Sequence, residues 1–167
     1  MNWELKGCYL ALLRWKKLKS EIDMTSVTMR VVESAEDFEN ALAVRLRVFV
    51  QEQSVPIEEE VDNQDNEAVH AIAELEGLVV ATGRLILQEF PIVYIGRMAV
   101  DIEHRRHGIG GGLLIFLEDH ARNIGAGKVI LHAQEYVKSF YVSHGYEEQG
   151  AVFMEANIPH VLMSKEL

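Results

Sequence analysis

The chain has 167 residues, one cysteine and a formal charge of −10, from 16 basic and 26 acidic residues. That length suits one domain with a substantial core, and a lone Cys8 excludes an intrachain disulfide and any Cys-based metal site while suiting a reducing cytoplasm. The acidic balance argues against non-specific nucleic-acid binding and for cationic partners, and no apolar run reaches the roughly 18–20 residues of a membrane span.

Residues 1–28 read as an N-terminal extension to a domain over residues 29–167. Trp3, Leu5, Cys8, Leu12 and Trp15 are spaced loosely like a helix face, with Arg14, Lys16, Lys17 and Lys19 at its far end. A secretory signal places its positive charge before the apolar core, and here the order is reversed. Three readings stay open: a docking helix, a basic amphipathic surface segment, or a start upstream of Met24 or Met29.

The domain begins with strand-like alternation at Thr28–Val32. Ser34 then caps a helix, with Asp37 three residues on, whose apolar positions run from Phe38 and Leu42 to Phe49 and Val50. Pro56 sets its limit, because the residue before proline disfavours the α region. Residues 56–67 carry six acidic side chains and no basic one. Such a run is read first as a solvated loop, and as an amine-attracting rim if it borders a site.

Ala68–Leu75 reads as a strand, Glu76-Gly77 as a tight turn, and Leu78–Gln88 as a second arm interrupted by Gly83. Pro91 opens a third strand through Val100. After it come Arg105-Arg106-His107-Gly108-Ile109-Gly110-Gly111-Gly112 and a helix with Leu113, Phe116, Leu117, His120 and Ile124 on one face. Gly125-Ala126-Gly127 ends that helix. Lys128–Ala133 is a buried-type strand, Gln134–Ser143 a helix, and 146–149 and 152–167 the last two strands, with Pro159 in the connection or at an edge. Mixed antiparallel pairs around one strand–loop–helix unit imply an α/β fold of the α+β type.

The strand–turn–helix unit is the chemical centre of this reading. The first amides of a helix have no carbonyl partners, the helix dipole adds positive charge, and two arginines stand beside them. This is an anion site, suited to a phosphate or pyrophosphate. A Walker A loop is excluded because no Lys-Ser or Lys-Thr follows the glycines. A dinucleotide fingerprint begun at Gly108 and Gly110 puts Leu113 where its third glycine belongs.

The pattern that fits is [Q/R]-x-x-G-x-[G/A], with Arg105, Gly108 and Gly110 in its fixed places. It resembles the acyl-CoA loop of the GCN5-related N-acetyltransferase (GNAT) family. The stretches Val-Arg-Leu-Arg-Val-Phe-Val-Gln-Glu-Gln-Ser-Val-Pro, Gly-Arg-Met-Ala-Val, Arg-Arg-His-Gly-Ile-Gly and Ser-Phe-Tyr-Val-Ser-His-Gly-Tyr carry the resemblance across 29–167. The first of these, with the Glu-Glu-Glu-Val-Asp that follows and the late Ile-Pro-His-Val-Leu-Met, resembles the small bacterial ElaA-like or YjcF-like subgroup.

The resemblance implies a GNAT fold, with a central sheet splayed around acyl-CoA, and transfer of an acetyl group from acetyl-CoA to a cationic amine of a small molecule or protein. It implies that Met98, Ala99 and Val100 meet the pantetheine arm and that Arg105, Arg106, His107, Gly108, Ile109, Gly110 and Gly111 hold the pyrophosphate. Gln134 stands where many relatives carry asparagine, which leaves that contact open. Tyr141 matches the tyrosine beside the thioester sulfur and is the candidate general acid. Glu60 and His132 are the candidate bases, with Glu59, His70, His160 and water as alternatives. No metal is implied, and a homodimer, paired through the last strands or by exchanging them, is. Two further readings stand beside this one: a non-catalytic acyl-CoA sensor, and a transferase of longer acyl chains with a tunnel near Phe49, Phe140 and Phe153.

Overall fold

The structure is a computed structural model that describes residues 24–167. The expectations for residues 1–23 lie outside the described residues. After a 3-10 turn at Met24–Ser26, strand β1 (Val27–Val31) leads to helix α1 (Ala35–Arg45). Ser34 caps α1 by accepting a hydrogen bond from the Asp37 amide at 3.1 Å. Asp37 in turn accepts from both terminal nitrogens of Arg30, at 2.7 and 2.6 Å, tying the helix start to β1.

The helical run expected up to Pro56 changes character at Leu46. Leu46–Glu52 is π-helical, and such turns widen a helix locally, frequently at functional sites. The acidic segment is also more ordered than a solvated loop. It holds the short helix α2 (Ile57–Glu60) and a 3-10 turn at Asn63–Asn66, and it buries Glu60 and Asp65.

Strands β2 (Val69–Leu75), β3 (Leu78–Glu89) and β4 (Ile92–Val100) form the expected antiparallel meander. Helix α3 (Ile109–Asn123) follows, then β5 (Lys128–Gln134), a 3-10 turn at Glu135–Val137, and α4 (Lys138–Ser143). The last pair is β6 (Glu147–Glu155) and β7 (Ile158–Glu166). Its turn lies at Ala156-Asn157, where both residues take positive φ, rather than in the gap expected between residues 149 and 152. Gly150 instead sits within β6, where the register to β7 shifts between Gln149 and Phe153. Pro159 pairs with Met154, and β7's partnership with β5 begins only at His160, so the missing amide costs no bond to β5.

The seven strands form one sheet in the order β1-β2-β3-β4-β5-β7-β6. Helix α3 buries Ile109, Leu113, Leu114, Leu117 and Ala121 in a cluster with Ala71, Leu85, Val93 and Val129 from the strands. A second cluster joins Val44 and Val48 to Ala99, so α1 and α3 cover opposite faces. A fully buried Leu of this kind contributes about 1.5–3 kcal/mol. The buried face of α3 is turned relative to the sequence reading. Ile124 is exposed, and Glu118 lies inward, matched by Lys165 Nζ of β7 at 2.6 Å.

One feature of this sheet positions the site. The parallel pair β4–β5 keeps register only at Ile92–Lys128, Val93–Val129 and Tyr94–Ile130. From Ile95 onward the two strands have no register partners in each other and diverge.

Candidate active site

The divergence opens a cleft of about 1390 Å³. Its walls are the outer edge of β4, the start of α3, the end of β5, α4 and the β6–β7 hairpin. At one end, Gly108 takes φ +86 and Arg106 φ +66, which turns the chain sharply into α3. The first helical bond there runs from the Gly112 amide to the Gly108 carbonyl at 2.9 Å, so the Ile109, Gly110 and Gly111 amides precede the ladder. A Cβ at Gly110 would make only ordinary contact with Val100 and Phe140, at 3.4 and 3.9 Å, whereas one at Gly111 would lie 2.8 Å from His144 Nε2. Oriented amides at the start of a 15-residue helix fit a pyrophosphate, and the unpaired β4 edge fits an extended amide-bearing arm.

Of the residues expected around the acyl-CoA loop, Met98, Ala99, Val100, Arg105, Arg106, Gly108, Gly110, Gly111 and Gln134 line the cleft. Ile109 turns its side chain into the core, 1 % exposed, and can offer only its amide. The His107 side chain is not part of the cleft wall. Arg105 is already engaged: Nε donates to the Val100 carbonyl at 2.8 Å and the guanidinium pairs with Glu52 at 2.7 Å. It braces the loop against the end of the π-helix. Gln134 donates to Gln53 at 2.8 Å, and Gln53 donates to the Tyr136 hydroxyl at 3.2 Å. These contacts bind the end of β5 to the residue that follows the π-helix.

Tyr141 of α4 lines the cleft and is 8 % exposed, its ring edge-on to Phe140 and to Tyr146. Burial pushes its phenol up to about 12, so the hydroxyl keeps its proton at neutral pH. Phe49 and Phe140 also line the cleft.

The candidate bases separate sharply. Glu60 is 2 % exposed, pairs with Arg45 Nε at 2.5 Å and Arg97 Nε at 3.0 Å, and is pushed up by its burial against the pull of those arginines. Arg45 and Arg84 also grip Asp65 at 2.7 Å each, and Arg84 and Arg97 hold Asp62. Glu60 is thus one member of a six-residue charge network fastening the acidic segment to α1, β3 and β4. The sequence missed this because the three arginines that match the three carboxylates lie far away in the chain. His70 belongs to the same network's edge, with Nε2 2.9 Å from the Asp65 carbonyl, and burial pulls its pKa down.

His132 and His160 both line the cleft. His132 sits on the cleft side of β5 with Nδ1 2.8 Å from Glu155 Oε2. Glu155 was absent from the sequence reading. Its signal was the Ala156-Asn157 turn, which fixes the β6–β7 register and so the residue beside it.

The family model for the acetyltransferase (GNAT) domain matches residues 32–167. An uncharacterized N-acetyltransferase of Bacillus subtilis (strain 168), YjcF, is 36 % identical over 137 residues, covering 81 % of this chain and 97 % of that protein. The crystal structure of Escherichia coli ElaA is similar with a TM-score of 0.76 and 25 % identity, over 84 % of this chain and 99 % of that one. An acyl-CoA N-acyltransferase structure from Pseudomonas aeruginosa is similar with a TM-score of 0.74 and 27 % identity, over 83 % of this chain and 97 % of that one. Among the described residues, no helix is long and apolar enough to cross a membrane.

Proposed function

Because this chain belongs to the GNAT family of acyltransferases, we propose that it moves the acetyl group of acetyl-CoA directly to a primary amine of a small molecule or protein. The observation that carries this reading is the opening of the sheet between β4 and β5, with the free amides of α3 at one end and the Tyr141 hydroxyl inside. In this reaction the amine nitrogen bonds to the acyl carbon and the carbon–sulfur bond breaks. The incoming ammonium gives up two protons: one is balanced by the proton that the leaving sulfur takes, and the other is released to water.

Tyr141 supplies the proton to sulfur in this proposal, since its phenol stays protonated and faces the cleft. His132 takes the first proton from the ammonium, and the Glu60 carboxyl serves the charge network instead. Besides Glu60 and Asp62, which the arginines of the charge network hold, Glu59, Glu89 and Glu155 line the cleft wall, and these three favour a cationic acceptor over a neutral or anionic one. The proposal places the protein in the cytoplasm, which its single cysteine suits, and as a homodimer, which the family resemblance implies.

The test is a thermal shift with acetyl-CoA, CoA and NADH, followed by CoA release with a panel of amines. A ligand at a hundredfold excess over its Kd adds about 2.7 kcal/mol to stability. Stabilisation by both CoA forms and not by NADH supports the reading, and no shift with either sinks it. Tyr141→Phe should lower turnover by about 10²–10⁴-fold while leaving the acetyl-CoA shift in place.

A further inference from the structure

We propose that Glu155 is the positioning residue that makes His132 the proton acceptor for the incoming ammonium; this rests on the transferase reading above. The two side chains come from β5 and the end of β6 and meet across the intervening β7. An ionised carboxylate can only accept, so at 2.8 Å the Nδ1 of His132 is the donor. The neutral ring then carries its lone pair on Nε2, the nitrogen left for the acceptor amine. The hydrogen bond from His132 lowers the Glu155 pKa, which keeps the carboxylate ionised for this task.

The surroundings fix the pair and leave it reachable. Phe153 lies edge-on to the His132 ring with centroids 4.9 Å apart, which limits the ring's rotation. Glu155 pairs with Ile158 across the tight turn at Ala156-Asn157, so the hairpin sets the height of its carboxylate on the cleft wall. The side chains of His132 and Glu155 are 43 % and 45 % exposed, open to a ligand that enters the cleft. From the neighbouring elements, His160 of β7 and Arg97 of β4 also bear electrostatically on Glu155.

The other basic groups are occupied differently. Glu60 is closed in by Arg45 and Arg97, and His70 is bound at Asp65. His160 donates from Nδ1 to the Ile158 carbonyl at 2.8 Å and is 7 % exposed, with no carboxylate hydrogen-bonded to its ring. His132 is the one of these rings hydrogen-bonded to a carboxylate. In the step, an N–H bond of the ammonium breaks and its electron pair stays on nitrogen. The proton bonds to Nε2, and the imidazolium held by Glu155 later returns it to water.

The experiment uses the full chain in four forms: wild type, Glu155→Ala, Glu155→Asp and His132→Gln. Long-range proton–nitrogen spectra read the His132 tautomer, steady-state rates use spermidine as acceptor, and titration gives the acetyl-CoA Kd. The expected result is an Nδ1–H ring in wild type and a shift toward Nε2–H in Glu155→Ala. With it should come a loss of about tenfold or more in kcat, an unchanged acetyl-CoA Kd and partial recovery in Glu155→Asp. His132→Gln should lose about 10²–10⁴-fold. A His132 tautomer indifferent to Glu155→Ala overturns the positioning role even if His132→Gln is slow. Full activity in His132→Gln overturns the assignment of the base. Failure of the wild type to bind either CoA form is a separate result, and it removes the transferase reading beneath both.

Discussion

At the scale of single residues, the decisive arrangement is the network of buried Arg45, Arg84, Glu60 and Asp65 with half-buried Arg97 and Asp62. Burying ions is costly, and the cost is offset only when every charge has a partner with good geometry. Here the guanidinium of Arg45 meets Glu60, the Glu60 carbonyl and both oxygens of Asp65. Arg45→Met should therefore destabilise the protein by about 3–5 kcal/mol in urea unfolding, because two buried carboxylates lose a partner. The network also sets an acid limit. Burial alone would raise the Asp65 carboxyl, but the hydrogen bonds from Arg45 and Arg84 outweigh it and hold it at about 2. A carboxyl whose folded pKa lies below its unfolded value stabilises the fold above the ordinary carboxylate range. That contribution is lost as pH falls from about 4 toward about 2. Glu60, pushed up, works in the opposite direction: its protonation as pH falls favours the fold. An acid titration of stability should accordingly show a steep fall in wild type over that window and a shallower one in Asp65→Asn.

At the scale of elements, what the sequence made legible follows from local chemistry. Ser34 and Asp37 announce α1, Glu76-Gly77 announces a hairpin, and Gly108 with the amides behind it announces the start of α3. What it hid depends on partners distant in the chain. The π-helix after Arg45 continues the helical periodicity, so no local signal separates it from α1. Glu118 carries no local sign of burial, because its match, Lys165, comes from the last strand. The placement of Tyr141 and the loop glycines at the cleft followed from motif spacing, whereas that of Glu155 needed the register of a hairpin. Gly83 is an instructive intermediate. It reads as an interruption of β3, and in the fold it is where α3 presses against the sheet. A Cβ there would lie 2.6 Å from Met98 Sδ and 2.7 Å from Leu117 Cδ1. Gly83→Ala should cost about 1–3 kcal/mol through overpacking. Because Met98 lines the cleft, the same substitution should weaken acetyl-CoA binding, measured by titration beside the urea curve.

At the scale of the whole molecule, the sheet works as two unequal parts joined by three register pairs and by α3. The part β1–β4 brings the charge network and the β4 edge, and the part β5–β7–β6 brings His132, Glu155 and His160. The two substrates proposed for the cleft carry opposite charge, and the protein answers them by different means. The acyl-CoA pyrophosphate would be met by oriented amides and Arg106, which act over a few ångströms. A cationic acceptor would feel the carboxylates of the cleft wall and, farther out, the formal charge of −10. Long-range attraction of this kind acts on encounter and is screened beyond roughly 8–10 Å at physiological salt. Raising ionic strength from about 0.01 M to about 0.5 M shortens that distance several-fold. The kcat/KM for a tricationic acceptor such as spermidine should then fall severalfold, and more steeply than for a monocationic amine of similar reactivity. kcat at saturating amine should change little, because the bound amine has already crossed the screened region. Equal salt dependence for the two amines would mean that the molecule's charge does not guide its acceptor, and that selection among amines rests on contacts inside the cleft alone.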